Sequence, residues 1–181
     1  AEVYPVPPAA ETVGITEEII GRWIHDRRNR EQVILATKVI RPGHGWFRPP
    51  VRHGFTALDR RQIHRACDDS LRRLQTDYID LYQVHWPDRP VRIFGALNYR
   101  PHDDTGIPIE ETLAALGELV AAGKIRHVGI SNETAWGAMR YLRAAEMSGL
   151  SRIVSIQNVY SLLSCNFEHN LSEIVHREDV G

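Results

Sequence analysis

Apolar positions along this chain follow two alternating patterns, one recurring at helical spacing and one short and continuous. From Thr16, the residues Ile19, Ile20, Trp23 and Ile24 predict the apolar face of a helix. Its first turn carries Glu17 and Glu18, and arginines cluster in its last turn. The β-branched run at residues 33–40 predicts a buried strand. Asp59 and Gln62 form a capping-box pattern ahead of Ile63, Ala66, Cys67, Leu71 and Leu74 at helical spacing, which Thr76 and Asp77 interrupt. Residues 78–84 predict a second strand. Pro108 opens a helix carrying Ile109, Leu113, Leu116 and Leu119, and Gly123 closes it. Residues 125–130 predict a third strand, residues 134–147 a helix stopped by Gly149, and residues 153–157 a fourth strand. Leu171, Ile174 and Val175 mark a last short helix.

Strict alternation of helices and apolar strands predicts an α/β fold of parallel strands joined by right-handed crossovers. A doubly wound sheet and a (β/α)8 barrel both satisfy it. A nucleotide-binding doubly wound fold wants a glycine-rich turn after its first strand, and neither GxGxxG nor GxxxxGK[ST] occurs. Lys38, His85, Ser131 and Gln157 each fall at or just before the C-terminal end of a separate strand, the pattern of a barrel's reactive face. The connections at residues 41–58 and 86–107 are long and rich in Pro, Gly and aromatics, as pocket walls or lids are. Eight units take about 250 residues. The expectation is therefore a partial (β/α)8 TIM barrel, with about four full parallel strands and five helices in one domain spanning residues 1–181.

Composition narrows the function classes. The chain has 181 residues, 43% hydrophobic and 25% charged, with a net charge of −1, so no global basic field recruits nucleic acid. No apolar run approaches the ~20 residues of a membrane span. Cys67 and Cys165 are far apart and lack metal-type spacing, which suits a reducing, cytoplasmic setting. No His-x-x-x-His pattern accompanies a carboxylate, and no Gly-x-Ser-x-Gly elbow is present. No metal site is expected, and His44 and His53 read as loop residues. Trp46, Phe47, Trp86 and Phe94 read as pocket wall and loop packing.

Taken singly, Tyr4 is a terminal aromatic, Lys38 a strand-end lysine reaching for solvent, and His85 a structural hydrogen bonder. Taken together on one face they form a proton-donating set. An ammonium makes a neighbouring phenol a stronger acid, and an imidazole orients a substrate oxygen.

The stretches AEVY (1–4), ATKV (36–39), SLRRLQTDYIDLYQVHWP (70–87), GKIRHVGISN (123–132) and IQN (156–158) resemble the aldo-keto reductases. YPVPP (4–8), SNET (131–134) and YSLL (160–163) are most similar to the bacterial Tas-type NADP(H)-dependent members. The resemblance implies a (β/α)8 barrel that reduces an aldehyde or ketone with NADPH. In it Tyr4 would be the general acid, Lys38 its activating cation and His85 the group that orients the carbonyl. Ser131, Asn132 and Gln157 would hold the nicotinamide carboxamide, and Trp86 would line the substrate pocket. It also implies an internal fragment truncated at both ends. The aspartate that pairs with the lysine would precede Ala1, and the adenosine-phosphate segment would follow Gly181. Two further expectations stand beside this one. The first is a non-catalytic binding or regulatory subunit on the same scaffold. The second is self-association through open sheet edges.

Overall fold

The computed structural model describes residues 1–41, 51–54, 56–91 and 106–181. Four strands form one sheet: β1 (Ala36–Val39), β2 (Ile79–Val84), β3 (Ile125–Ser131) and β4 (Ile153–Gln157). Every pairing is parallel, and the spatial order β1-β2-β3-β4 repeats the chain order. Six α-helices accompany them among the described residues: α1 (Ile15–Arg27), α2 (Arg60–Leu74), α3 (Ile109–Ala121), α4 (Ala135–Ser148), α5 (Asn166–Asn170) and α6 (Ser172–Arg177).

Local chemistry accounts for the helix ends. Asp59 caps α2, its carboxylate accepting from Gln62 N at 2.8 Å, but the Gln62 amide oxygen is buried without a partner, so only half of the capping box forms. Thr134 caps α4 through Gly137 N at 3.2 Å. Gly123 and Gly149 end α3 and α4 with φ of 71° and 61°, in the left-handed region that glycine enters without a Cβ clash. The last helical pattern is two helices rather than one, divided at Leu171.

Register assigns every strand residue to a face. Thr37, Val39, Tyr82, Val84, Val128, Ile130 and Ile153 lie on one face, and their apolar members are buried among helix residues such as Ile63, Cys67, Leu113, Leu116, Tyr141 and Leu142. Ala36, Lys38, Leu81, Gln83, His127, Gly129, Ser155 and Gln157 line the other face, where Ala36, His127 and Gln157 are exposed. A doubly wound sheet reverses its strand order and buries both faces. Here the strands advance in one direction and most of the core lies on one side, as in a barrel wall. On the other face the paired Ile79 and Ile125 are buried at the strand starts, and polar residues gather towards the strand ends.

Helix α1 departs from its apolar pattern. Ile19, Ile20 and Trp23 are exposed, and the buried residues are Glu17, Gly21 and Ile24. The reason is tertiary. A Cβ on Gly21 would stand 2.2 Å from the carbonyl oxygen of Arg73, so glycine lets the two helix backbones meet. One turn earlier, Glu17 accepts from Thr37 Oγ1 at 2.5 Å, Ser70 Oγ at 3.0 Å and Arg73 Nε at 2.7 Å. That carboxylate joins α1, α2 and β1, and its burial is offset by three donors.

Candidate active site

The C-terminal ends of the strands gather the polar residues. Tyr4 precedes α1 and is held by its backbone: its N–H donates to Ala1 O at 3.0 Å, and its carbonyl accepts from Gly14 N at 3.1 Å. Its hydroxyl stands 3.4 Å from His85 Nε2, with the two rings edge-on at a centroid distance of 5.6 Å. His85 follows β2, is buried, and donates its backbone N–H to Val39 O at 2.9 Å. A contact of 3.4 Å is long for a hydrogen bond, and it leaves room for a third oxygen to approach both groups.

Burial, reinforced by the Lys38 ammonium, lowers the His85 pKa to about 3. The ring is therefore neutral near pH 7. Its Nδ1 is buried without a partner. A proton there would leave a buried N–H orphaned, whereas a proton on Nε2 faces the Tyr4 oxygen, so the Nε2–H tautomer is favoured. Lys38 projects from β1 on the same sheet face as Gln83 and is half-buried. Burial lowers its pKa, and among the described residues its ammonium makes no hydrogen bond or ion pair.

The three cofactor candidates are also brought together. Ser131 ends β3 opposite Gln157 of β4, and its hydroxyl donates to Gln157 O at 2.6 Å. Asn132 adopts a left-handed φ of 52° and donates from Nδ2 to His85 O at 2.9 Å and to Ser131 Oγ at 3.2 Å. Among the described residues the exposed Gln157 amide is unpaired, and the Asn132 side-chain amide oxygen accepts no hydrogen bond. One amide NH2 and two amide oxygens thus remain free of partners among the described residues, a donor and acceptors that fit the carboxamide of a nicotinamide.

Trp86 is buried against His85 with ring centroids 4.5 Å apart, in a cluster with Val3, Ile40 and Val51. Tyr4 packs, partly buried, against the same cluster. His44, Trp46, Phe47, Phe94 and the side chain of His53 lie outside the described residues.

Four contributors escaped the pattern reading. Asn158 brackets the loop after β3, accepting from Glu133 N at 3.1 Å and donating to Glu133 O at 2.8 Å. Buried Glu133 holds Arg89 through a two-pronged ion pair, with contacts of 2.5 and 3.1 Å. Buried Glu2 meets the N–H of Ile40, just past β1. Glu2 and Asn158 adjoin Tyr4 and Gln157 in stretches that already stood out, but their partners are too distant in sequence for a pattern to find.

Fold and site together define an α/β barrel-wall protein with a lysine and a neutral histidine at its strand ends and a tyrosine facing the histidine. The aldo/keto reductase family model matches residues 1–181, and the chain belongs to that family. It is 50% identical to Protein tas of Escherichia coli over 99% of this chain and 52% of that protein. An aldo/keto reductase from Klebsiella pneumoniae, solved with NADP and acetate, superposes with a TM-score of 0.67 at 31% identity, covering 92% of this chain and 46% of its own. A Bacillus halodurans aldo-keto reductase in its holo form gives 0.68 at 33% identity, with 93% and 47% covered. The chain thus spans about half the length of the relatives it matches.

Proposed function

We propose that these residues serve an NADPH-dependent reduction of an aldehyde or ketone to an alcohol. The observation that carries the reading is the Tyr4 hydroxyl 3.4 Å from Nε2 of a buried, neutral His85, on the strand end next to Lys38. A carbonyl oxygen placed between phenol and imidazole accepts a hydrogen bond from each. Charge then develops on an oxygen already facing two donors and a nearby ammonium. Tyr4 transfers its proton to that oxygen as the alkoxide forms. His85 cannot compete as the acid because its ring is neutral, so it orients the oxygen instead. Lys38, half-buried and without a hydrogen bond or ion pair among the described residues, would stabilise the phenolate left behind.

Ser131, Asn132 and Gln157 would hold the nicotinamide carboxamide, and the bound cofactor would supply the hydride. Asn132 reaches the His85 carbonyl, so the same side chain fixes the distance between cofactor end and proton donor. Trp86, buried against the His85 ring, would shield that side of the reacting oxygen from water.

Turnover of an activated aldehyde by the intact protein with NADPH tests this reading. Tyr4→Phe should lower kcat by a factor on the order of 10² to 10⁴, the usual range for loss of a positioned acid. Equal rates in the two proteins would remove Tyr4 from the chemistry.

A further inference from the structure

Beneath Tyr4 lies a buried ion pair that the chemistry above does not use. Glu2 is 1% exposed. One carboxylate oxygen accepts from Ile40 N at 2.9 Å and faces Arg52 at 3.3 Å. Arg52 donates in turn to Ile40 O at 2.9 Å and Gln62 O at 3.2 Å, and both side chains of the pair are 2% exposed. The pair therefore satisfies the N–H and the C=O of Ile40, two residues beyond Lys38. It ties three segments to that point: residues 1–4, the end of β1, and the turn at Val51–Gly54. A charge pair with this little exposure is poor evidence of stabilisation by itself, because desolvation offsets most of the attraction. Its geometric effect is clearer. It fixes the residue two before Tyr4 against the strand that carries Lys38, and β1 is in turn hydrogen-bonded to His85 through Val39.

We infer that Glu2 and Arg52 are positioning residues that set the Tyr4 hydroxyl against His85. The inference rests on the proposed chemistry of Tyr4 and deepens it. Val3, fully buried beside Ile40 and Trp86, keeps the segment attached when the carboxylate is removed. Glu2→Ala leaves the Arg52 guanidinium buried without its carboxylate. It is therefore compared with the parent at a temperature where both give the same folded circular dichroism, and there it reports placement rather than folding. A glutamine can still accept from Ile40 N and Arg52, so Glu2→Gln is the conservative rescue.

The test is a double-mutant cycle in the intact protein, with Glu2→Ala, Glu2→Gln, Tyr4→Phe and Glu2→Ala/Tyr4→Phe. Glu2→Ala should lower kcat by about 10- to 100-fold, the scale of a misplaced reacting group, with KM and NADPH affinity within about twofold of the parent. Glu2→Gln should restore most of kcat. In the Tyr4→Phe background, Glu2→Ala should have no further effect on the residual rate. The ring ¹⁵N shifts of His85, read without substrate or cofactor, should move in Glu2→Ala and not in Glu2→Gln. The same loss of rate in both backgrounds, or unchanged kcat and His85 shifts in Glu2→Ala, would overturn the positioning role while leaving Tyr4 as the acid. Parent-like turnover in Tyr4→Phe would instead overturn the functional reading on which the inference stands.

Discussion

The side-chain amide of Asn132 donates to the backbone carbonyl of His85 at 2.9 Å, joining the end of β3 to the end of β2 across 47 residues of chain. The bond couples the two halves of the candidate site, because one partner adjoins Ser131 and the other belongs to the residue that faces Tyr4. Asn132 meets it with φ of 52°, a left-handed conformation that asparagine tolerates better than most residues. Asn132→Leu removes the bond and adds strain. It should cost about 2–3 kcal/mol, from a lost hydrogen bond and an unfavourable φ together. Urea unfolding measures the loss; a midpoint equal to the parent's would show that the bond contributes nothing.

Glu17 and Ile19 make a matched pair of opposite expectations on one helix. Glu17→Ala strips the partner from an Arg73 side chain that is only 20% exposed and orphans the hydroxyls of Thr37 and Ser70. The expected loss is about 3–5 kcal/mol. Ile19 is 54% exposed, so Ile19→Ala should stay within about 0.5 kcal/mol of the parent. Denaturant curves for both variants check the ranking, and a larger loss at Ile19 would contradict the burial assigned to α1.

Gly21→Ala places a methyl group where the backbone of Arg73 and Leu74 already stands, 2.2 Å from the nearest oxygen. Alanine is ordinarily the better helix former. Here the helices must separate, so the variant should be destabilised by about 1–3 kcal/mol, the usual cost of overpacking. A rise in melting temperature would mean that α1 and α2 do not meet there.

Two groups pull stability in opposite directions with pH. The folded His85 pKa of about 3 lies below the ordinary value of 6.5, so the unfolded chain binds the proton first, and this contribution falls as pH drops from 6.5 towards 3. Burial raises the Glu2 pKa from 4.5 to about 7, although Arg52 and the Ile40 N–H oppose the shift. The Glu2 contribution is therefore complete below pH 4.5 and is lost as pH rises through 7. Glu2→Gln carries no such loss, so its stability relative to the parent should grow between pH 5 and pH 8. Unfolding midpoints at the two values check the sign; a constant difference would mean that Glu2 does not titrate in that window.

Short-range chemistry made much of this molecule legible before any coordinates. The four strands were marked by β-branched runs, α2 by Asp59, α4 by Thr134 and Gly149, and α3 by Pro108 and Gly123. Each of those signals acts within a few residues of itself. Lys38 and His85 stood out as polar groups at the ends of apolar strands, whereas Tyr4, a terminal aromatic by itself, drew attention only beside them and through the family resemblance. Which helix face is buried is a different kind of fact. On α1 the isoleucines and the tryptophan promised one face, yet the close approach at Gly21 and the donors around Glu17 select another. The Asn132–His85 bond and the Glu2–Arg52 pair likewise depend on groups brought together only by the parallel stacking of strands. Sequence by itself determined the strands, most of the helices and their order, and it named candidate side chains, because those depend on local backbone preference and chemical type. Tertiary structure alone decided which side chains meet, because pairing across crossovers depends on register and on the room left between helices.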